Sequence, residues 1–400
     1  MAVPDWIWLA FIFAFGCCIG SFLNVVIYRL PRDKSLIRPP SACPACGRHI
    51  RFYDNIPLIS WLVLGRKCRY CKAPISPRYF VVELSTGLVF MGLFLLYFRS
   101  DVRPGMVPFS QGGWFIYLLH IILLSALVAA SAVDLELWVI PVSICWFVIT
   151  VGLIGSAVGS FVIDSDAIRE HFLLPTTSAV LFREVTIASL AAGAAIGLGI
   201  SLLLLATGLI RRSYDSTDEK AESDAEPEAA NGEREYNHRL EMCKEMIFLL
   251  PIIICAVAAY WLVRESAPGG YLADTGLRTW WLGFSQRPVV AGLLGSACGY
   301  FIGGAIVWAA RILGTLAFGK EAMGLGDVHL MGAAGAVIGP VLVVVAFFIA
   351  PFLGLGWASF QMFFKKTRQI PYGPFLSLGV FAVMILHDRI FNHLISIFYR

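Results

Sequence analysis

The chain has 400 residues, of which 58% are hydrophobic and only 14% charged, against about 25% charged in an average globular protein. With a mean hydropathy of +0.75, soluble globular, disordered and disulfide-scaffold organisations are excluded. The composition is that of an all-α polytopic membrane protein, and its net charge of +4 is spread very unevenly.

A crossing helix needs about 20 mostly apolar residues. Residues 6–28 meet this and read as a retained helix: no basic stretch precedes them and no small-residue cleavage site follows. Further spans are expected at about 80–98, 114–133, 138–160, 185–210, 246–264, 288–312, 328–347, 350–364 and 376–396, about ten in all, the short pair meeting near Pro351. Arg29 and Arg32 directly after the first span place the amino terminus outside. Alternation then assigns 29–79, 134–137, 211–245, 313–327 and 365–375 to the cytoplasm. Arg211, Arg212, Lys320, Lys365, Lys366 and Arg368 all fall in those segments.

Residues 29–79 hold eleven Lys/Arg against Asp33 and Asp54. Between two apolar spans such a loop is a positive-inside signal, and no nucleic-acid partner is inferred from it. Within it, Cys43-Pro44-Ala45-Cys46 is followed by Cys68-Arg69-Tyr70-Cys71. Two CxxC knuckles offer four thiolates, the set for a closed tetrahedral zinc site. Four protein ligands leave no position for water, so the Zn2+ would be structural, in a small zinc-ribbon-like cytoplasmic loop. A redox dithiol pair is the other use of CxxC, but it needs a thioredoxin-like βαβ scaffold that is not visible here. Cys17, Cys18, Cys145, Cys255 and Cys298 lie in apolar segments and read as packing residues.

Two acids stand at the ends of apolar spans, where ionisable groups are costly. Asp134 ends the third span and is followed by Pro141; Asp327 opens the eighth, in Gly324-Leu325-Gly326-Asp327. Alternation puts both at one face. If they converge, one carboxyl could take a proton from water while the other polarises a scissile carbonyl. Gly324 and Gly326 would let backbone and substrate come close. Either acid alone also fits a helix cap or an interfacial anchor. The stretch 215–228 carries seven acids and one Lys without hydrophobic pattern, and disorder is expected there.

Several segments together resemble the type IV prepilin peptidases, a family of GxGD-type membrane aspartic proteases. They are Gly20 to Pro31, the double-CxxC loop with Asn55-Ile56-Pro57, Ser60-Trp61 and Pro74 to Tyr79, Val82-Glu83-Leu84, Asp134 with Pro141, Gly324 to Asp327, and Pro371-Tyr372-Gly373-Pro374. The resemblance covers roughly residues 15–160 and 288–396. It implies cleavage of the basic leader of prepilins or pseudopilins at the cytoplasmic face of a bacterial inner (plasma) membrane, with Asp134 and Asp327 catalytic. Gly324, Gly326, His329 and Gly373 would support the site, and Cys43, Cys46, Cys68 and Cys71 would bind the metal. It further implies N-methylation of the new amino terminus with S-adenosylmethionine, for which no glycine-rich nucleotide turn is visible.

The chain departs from the family pattern in three places. His329 stands where a Lys is usual, and Val142 where a polar or acidic residue is common, with Glu136 nearby as a possible substitute. The acids are 193 positions apart, from 134 to 327, because 161–287 reads as an insertion with two extra spans and the 211–245 loop. The expected organisation is 1–28 first helix, 29–79 zinc loop and putative methyltransferase region, 80–160 first catalytic region, 161–287 insertion and 288–400 GxGD region. Two other readings remain open: another GxGD intramembrane protease, and a non-enzymatic membrane assembly or transport protein using the zinc loop for docking.

Overall fold

The computed structural model describes residues 5–177, 184–214, 238–268, 270–364 and 371–398. The acidic stretch 215–228 and the basic cluster Lys365, Lys366 and Arg368 lie outside the described residues. Helices account for most of the described backbone, and the only β pairing among the described residues is two isolated bridges, Ala42 with His49 and Lys67 with Pro74.

The helices are α1 (Asp5–Arg29), the short α2 (Ile59–Val63), α3 (Pro77–Phe98), α4 (Gly113–Leu137), α5 (Val142–Val162), the short α6 (Ser165–His171) and α7 (Glu184–Ala206). They continue as α8 (His238–Glu265), α9 (Leu277–Ser285), α10 (Pro288–Phe318), α11 (Leu325–Ile338), α12 (Pro340–Phe364), α13 (Gly373–Ile385) and α14 (His387–Phe398). Eight of them are long and apolar enough to cross a membrane: α1, α3, α4, α5, α7, α8, α10 and α12. The chain is a multi-pass membrane protein.

Two expected boundaries are corrected. The break between the eighth and ninth spans falls at Gly339-Pro340 and not near Pro351, which lies inside a continuous α12. Gly339 has φ +86°, favoured by glycine, and Pro340 starts the next helix where its missing N–H costs nothing. Pro351 removes one hydrogen bond, which membrane helices tolerate when neighbours compensate. The last expected span is two helices, α13 and α14, bent by 73°.

Packing places α11 at the centre, against α10, α5 and α12, with α4 and α13 closing one side and α1 with α3 behind them. Almost every α11 residue from Asp327 to Ile338 is buried. Close approach there depends on missing Cβ atoms: one added to Gly299 of α10 would run into the Gly335 carbonyl of α11, and one added to Gly335 into that of Gly299. Without a hydrophobic driving force between helices in lipid, such small-residue contact supplies the dispersion that holds them. The outer pair α7 and α8 pack on each other, and α7 docks on α10.

The helix connections segregate to two ends. At one, Arg78 meets Glu136, Asp134 meets Gly373, and Glu245 and Glu321 meet Arg311. At the other, the Gly105 N–H donates to Asp388 at 2.8 Å and His387 Nε2 lies 3.1 Å from the Phe172 carbonyl. Residues 173–177 are all buried there, with Pro175 against Gly339 at the far end of α11.

Candidate active site and metal centre

The metal loop is built from two like halves. In the first, Cys43 N donates to the Arg48 carbonyl at 2.9 Å and Gly47 N to the Cys43 carbonyl at 2.8 Å. In the second, Cys68 N donates to the Ala73 carbonyl at 2.8 Å and Lys72 N to the Cys68 carbonyl at 3.1 Å. The turn residues Gly47 and Lys72 both have positive φ, 67° and 59°. This repeated turn brings the Sγ atoms of Cys43, Cys46, Cys68 and Cys71 within 4.8 Å of one another, with Cys43 and Cys71 at 3.8 Å. Zinc–sulfur bonds of about 2.3 Å in a tetrahedron separate sulfurs by about 3.8 Å, so the cluster could hold such an ion. Amide N–H groups of Cys71 and Tyr70 hold the Cys68 thiol below its ordinary value, while the crowding of neighbouring thiols pushes Cys71 above its own.

Polar and aromatic contacts tie this loop to the helices. Glu83 of α3, itself buried, accepts the Leu58 N–H at 2.8 Å. Trp61 stacks on Phe80 with ring centroids 4.8 Å apart. Asn24 of α1 donates to the Tyr79 carbonyl at 3.1 Å, and Ser76 caps α3 by accepting the Arg78 N–H. Arg69 and Asp54 pair with contacts of 2.5 to 3.1 Å, and these hydrogen bonds hold the Asp54 carboxyl below the usual carboxylate range.

The two sequence-predicted acids are brought into one neighbourhood. Asp134 lies in the last turn of α4 and Asp327 in the first turn of α11; both are buried, at 7% and 8% exposure, close enough to interact electrostatically. α4 ends just beyond Asp134 because Trp138 turns left-handed (φ 59°, ψ 27°) and returns its N–H to the Asp134 carbonyl at 3.0 Å. Asp327 donates its own N–H to the Gly324 carbonyl at 3.2 Å. The third wall is the start of α13, where the Gly373 N–H donates to Asp134 Oδ2 at 3.1 Å.

Ile140 packs between these parts. A Cβ added to Gly326 would lie 2.9 Å from Ile140 Cβ, and one added to Gly373 would lie 2.7 Å from Asp134 Oδ2 and 3.3 Å from Ile140 Cδ1. At Gly324 the nearest atom would be Asp327 Oδ2 at 3.5 Å, ordinary contact. Within the chain, a side chain would therefore be crowded at Gly326 and Gly373 and not at Gly324. His329 is half-buried on α11, two residues and so about 200° round the helix from Asp327. It shares the helix of the acid without sharing its face. Glu136, near the first acid, is engaged by Arg78 at 2.6 Å.

Sequence reading missed a buried cluster just beneath the Gly324 loop. Arg311 of α10, 1% exposed, contacts Glu245 of α8, Glu321 and the Met323 carbonyl. The signal was present: a lone Arg within a 31-residue apolar helix is costly and calls for a partner.

Comparison with known proteins agrees with these features. The family model for the bacterial peptidase A24 N-terminal domain matches residues 14–97 and that of the type IV leader peptidase family matches 272–359. The four cysteines lie in the first range and Asp327 in the second, while Asp134 and Gly373 lie outside both. A prepilin leader peptidase/N-methyltransferase of Myxococcus xanthus is 38% identical over 174 residues, 43% of this chain and 46% of that protein. One from Aeromonas hydrophila is 34% identical, covering 41% of this chain and 60% of the relative. One from Klebsiella pneumoniae is 35% identical, covering 40% of this chain and 68% of the relative. The chain thus spans about half to two thirds of the length of the curated relatives it matches. No solved structure matches. With the helices, the four-cysteine loop and the GxGD turn in place beside these similarities, the chain belongs to the type IV prepilin peptidase family.

Proposed function

We propose that the chain is a membrane aspartic endopeptidase that removes the leader of type IV prepilins or type II secretion pseudopilins at the cytoplasmic face. The observation that carries this reading is the meeting of three distant segments: Asp134 at the end of α4, Asp327 at the start of α11 and the Gly373 amide at the start of α13. Asp134 Oδ2 accepts that amide, a hydrogen bond that favours the ionised carboxylate, and Oδ1 would be left for a water. We assign Asp134 as the base that takes the water's proton and Asp327 as the acid that protonates the scissile carbonyl or the leaving amine. The apolar helix of the substrate would lie among the spans, with its basic leader outside the membrane. The basic content of 29–79 supports a cytoplasmic placement of this end.

The four-cysteine cluster fits a structural Zn2+, which would let the 29–79 loop fold with little hydrophobic core. The relatives' names support a second activity, N-methylation of the new amino terminus. S-adenosylmethionine would supply the methyl group. The loop presents no glycine-rich strand-to-helix turn among its described residues that would mark the donor's site.

Mass spectrometry of a co-expressed pilin precursor tests both activities, since it reports the cleavage position and amino-terminal methylation together. Asp134→Asn and Asp327→Asn should each abolish leader removal while the chain still inserts. Normal processing by Asp327→Asn would overturn the mechanism. Cleavage elsewhere than at a pilin-type leader would favour a different GxGD protease, and an inert chain a docking role.

A further inference from the structure

The loop that leads to Asp327 is held by side chains of α10, one of which is paired in turn with α8. α10 ends at Phe318, and residues 319–324 lead directly into α11. Two anchors from α10 fix this short loop. Thr315, fully buried, accepts the Ala322 N–H through Oγ1 at 3.1 Å, and Arg311 donates through Nη1 to the Met323 carbonyl and to Glu321 Oε1, the latter at 2.6 Å. Gly324 follows at once, and its carbonyl accepts the Asp327 N–H.

The remaining donors of the guanidinium are spoken for by α8. Arg311 Nη2 lies 3.0 Å from Glu245 Oε1, and Nε lies 3.2 Å from both carboxylate oxygens. Glu245, 3% exposed, also accepts Trp308 Nε1–H at 2.6 Å and Ser213 Oγ–H at 3.2 Å. Nearby, Glu241 accepts the Tyr214 N–H at 2.7 Å and pairs with Lys244 at 2.9 Å. A buried carboxylate with so many donors is a built acceptor, and a bidentate guanidinium pair fixes orientation as well as charge. Without Glu245, Arg311 would keep a buried charge with half its donors unmet.

We propose that Glu245, which lies in the stretch expected as an insertion, is a positioning residue for peptide cleavage. It orients Arg311, and Arg311 in turn fixes the Met323 carbonyl and hence the setting of Asp327. The stretch containing α7 and α8 thereby acts as a brace for the loop of the second acid. This rests on the assignment of Asp327 as catalytic, and the experiment separates the two.

The chain in proteoliposomes is given a recombinant precursor with a basic leader ahead of an apolar pilin helix. Cleavage is expressed per folded chain. Glu245→Gln should lower kcat at least tenfold with KM within about twofold, because the substrate does not touch Glu245. Glu245→Asp, which keeps the charge, should recover most of that loss. Pairing Glu245→Gln with Arg311→Lys should cost little more than the worse single change, as expected of residues acting in series. Amide exchange across 319–327 should speed up in Glu245→Gln and less in Glu245→Asp. Parental kcat per folded chain in Glu245→Gln, or a loss confined to folded yield, would overturn the proposal. If Glu245→Gln does not accumulate, parental exchange and kcat in Arg311→Lys overturn it instead. Cleavage by Asp327→Asn, by contrast, would remove the catalytic assignment and leave the brace a structural contact.

Discussion

Replacing Gly373 by Ala isolates what the start of α13 contributes to the acid pair. The new methyl would stand 2.7 Å from Asp134 Oδ2 and 3.3 Å from Ile140 Cδ1, while ordinary contact begins at 3.4 Å. The carboxylate oxygen or the helix start must therefore retreat by about 0.7 Å, a shift comparable to the ~1 Å displacement that can cost about a hundredfold in rate. The hydrogen bond from the Gly373 N–H, now 3.1 Å, lengthens with it. A loss of ten- to a hundredfold in kcat is expected, about 1.4 to 2.7 kcal/mol of barrier, with the chain still inserted. The internal comparison is Gly324→Ala. That residue has φ −72° and ψ 147°, open to any side chain, and its nearest neighbour would be 3.5 Å away. It should cleave within about threefold of the parent on geometry alone. Initial rates on a pilin precursor, normalised to folded chain, decide the matter. Parental activity in Gly373→Ala, or greater damage from Gly324→Ala than from Gly373→Ala, would refute the reasoning.

Cys43→Ser or Cys68→Ser should remove the metal, and metal analysis should fall from about one zinc per chain to near none; unchanged zinc contradicts a four-thiolate site. Glu83→Leu should leave the part-buried Leu58 N–H without its carboxylate acceptor at a cost of about 1 kcal/mol, seen as faster proteolysis of the 29–79 loop; unaltered protection would show the loop is held elsewhere. Arg78→Gln removes a partly exposed pair with Glu136 and should change stability by no more than about 1 kcal/mol, read as a small Tm shift.

Much of this was legible in the sequence because its signals are local. Twenty-residue apolar runs, CxxC spacing and a GxGD turn each need only neighbours in the chain to be recognised. The apparent break near Pro351 misled because proline is a local signal whose cost membrane neighbours can remove, whereas the break at Gly339 needs a positive φ that only the fold reveals. The convergence of Asp134 with Asp327 was reached by counting crossings, which fixes an end of the bundle but no distance. That Gly373 and Ile140 complete the neighbourhood, or that His329 turns away from it, depends on helix register and packing. The pairing of Arg311 with Glu245 joins positions 66 apart with no pattern between them; burial alone made it necessary.

The brevity of α11 bears on how its two ends are set within a membrane. Its 14 residues rise about 21 Å, short of the roughly 30 Å of a bilayer core. So short a helix leaves its far end inside the bilayer's thickness, where other parts of the chain must cover it. Pro175 packs on Gly339 within the buried stretch 173–177, so the end of α11 away from Asp327 is covered by chain.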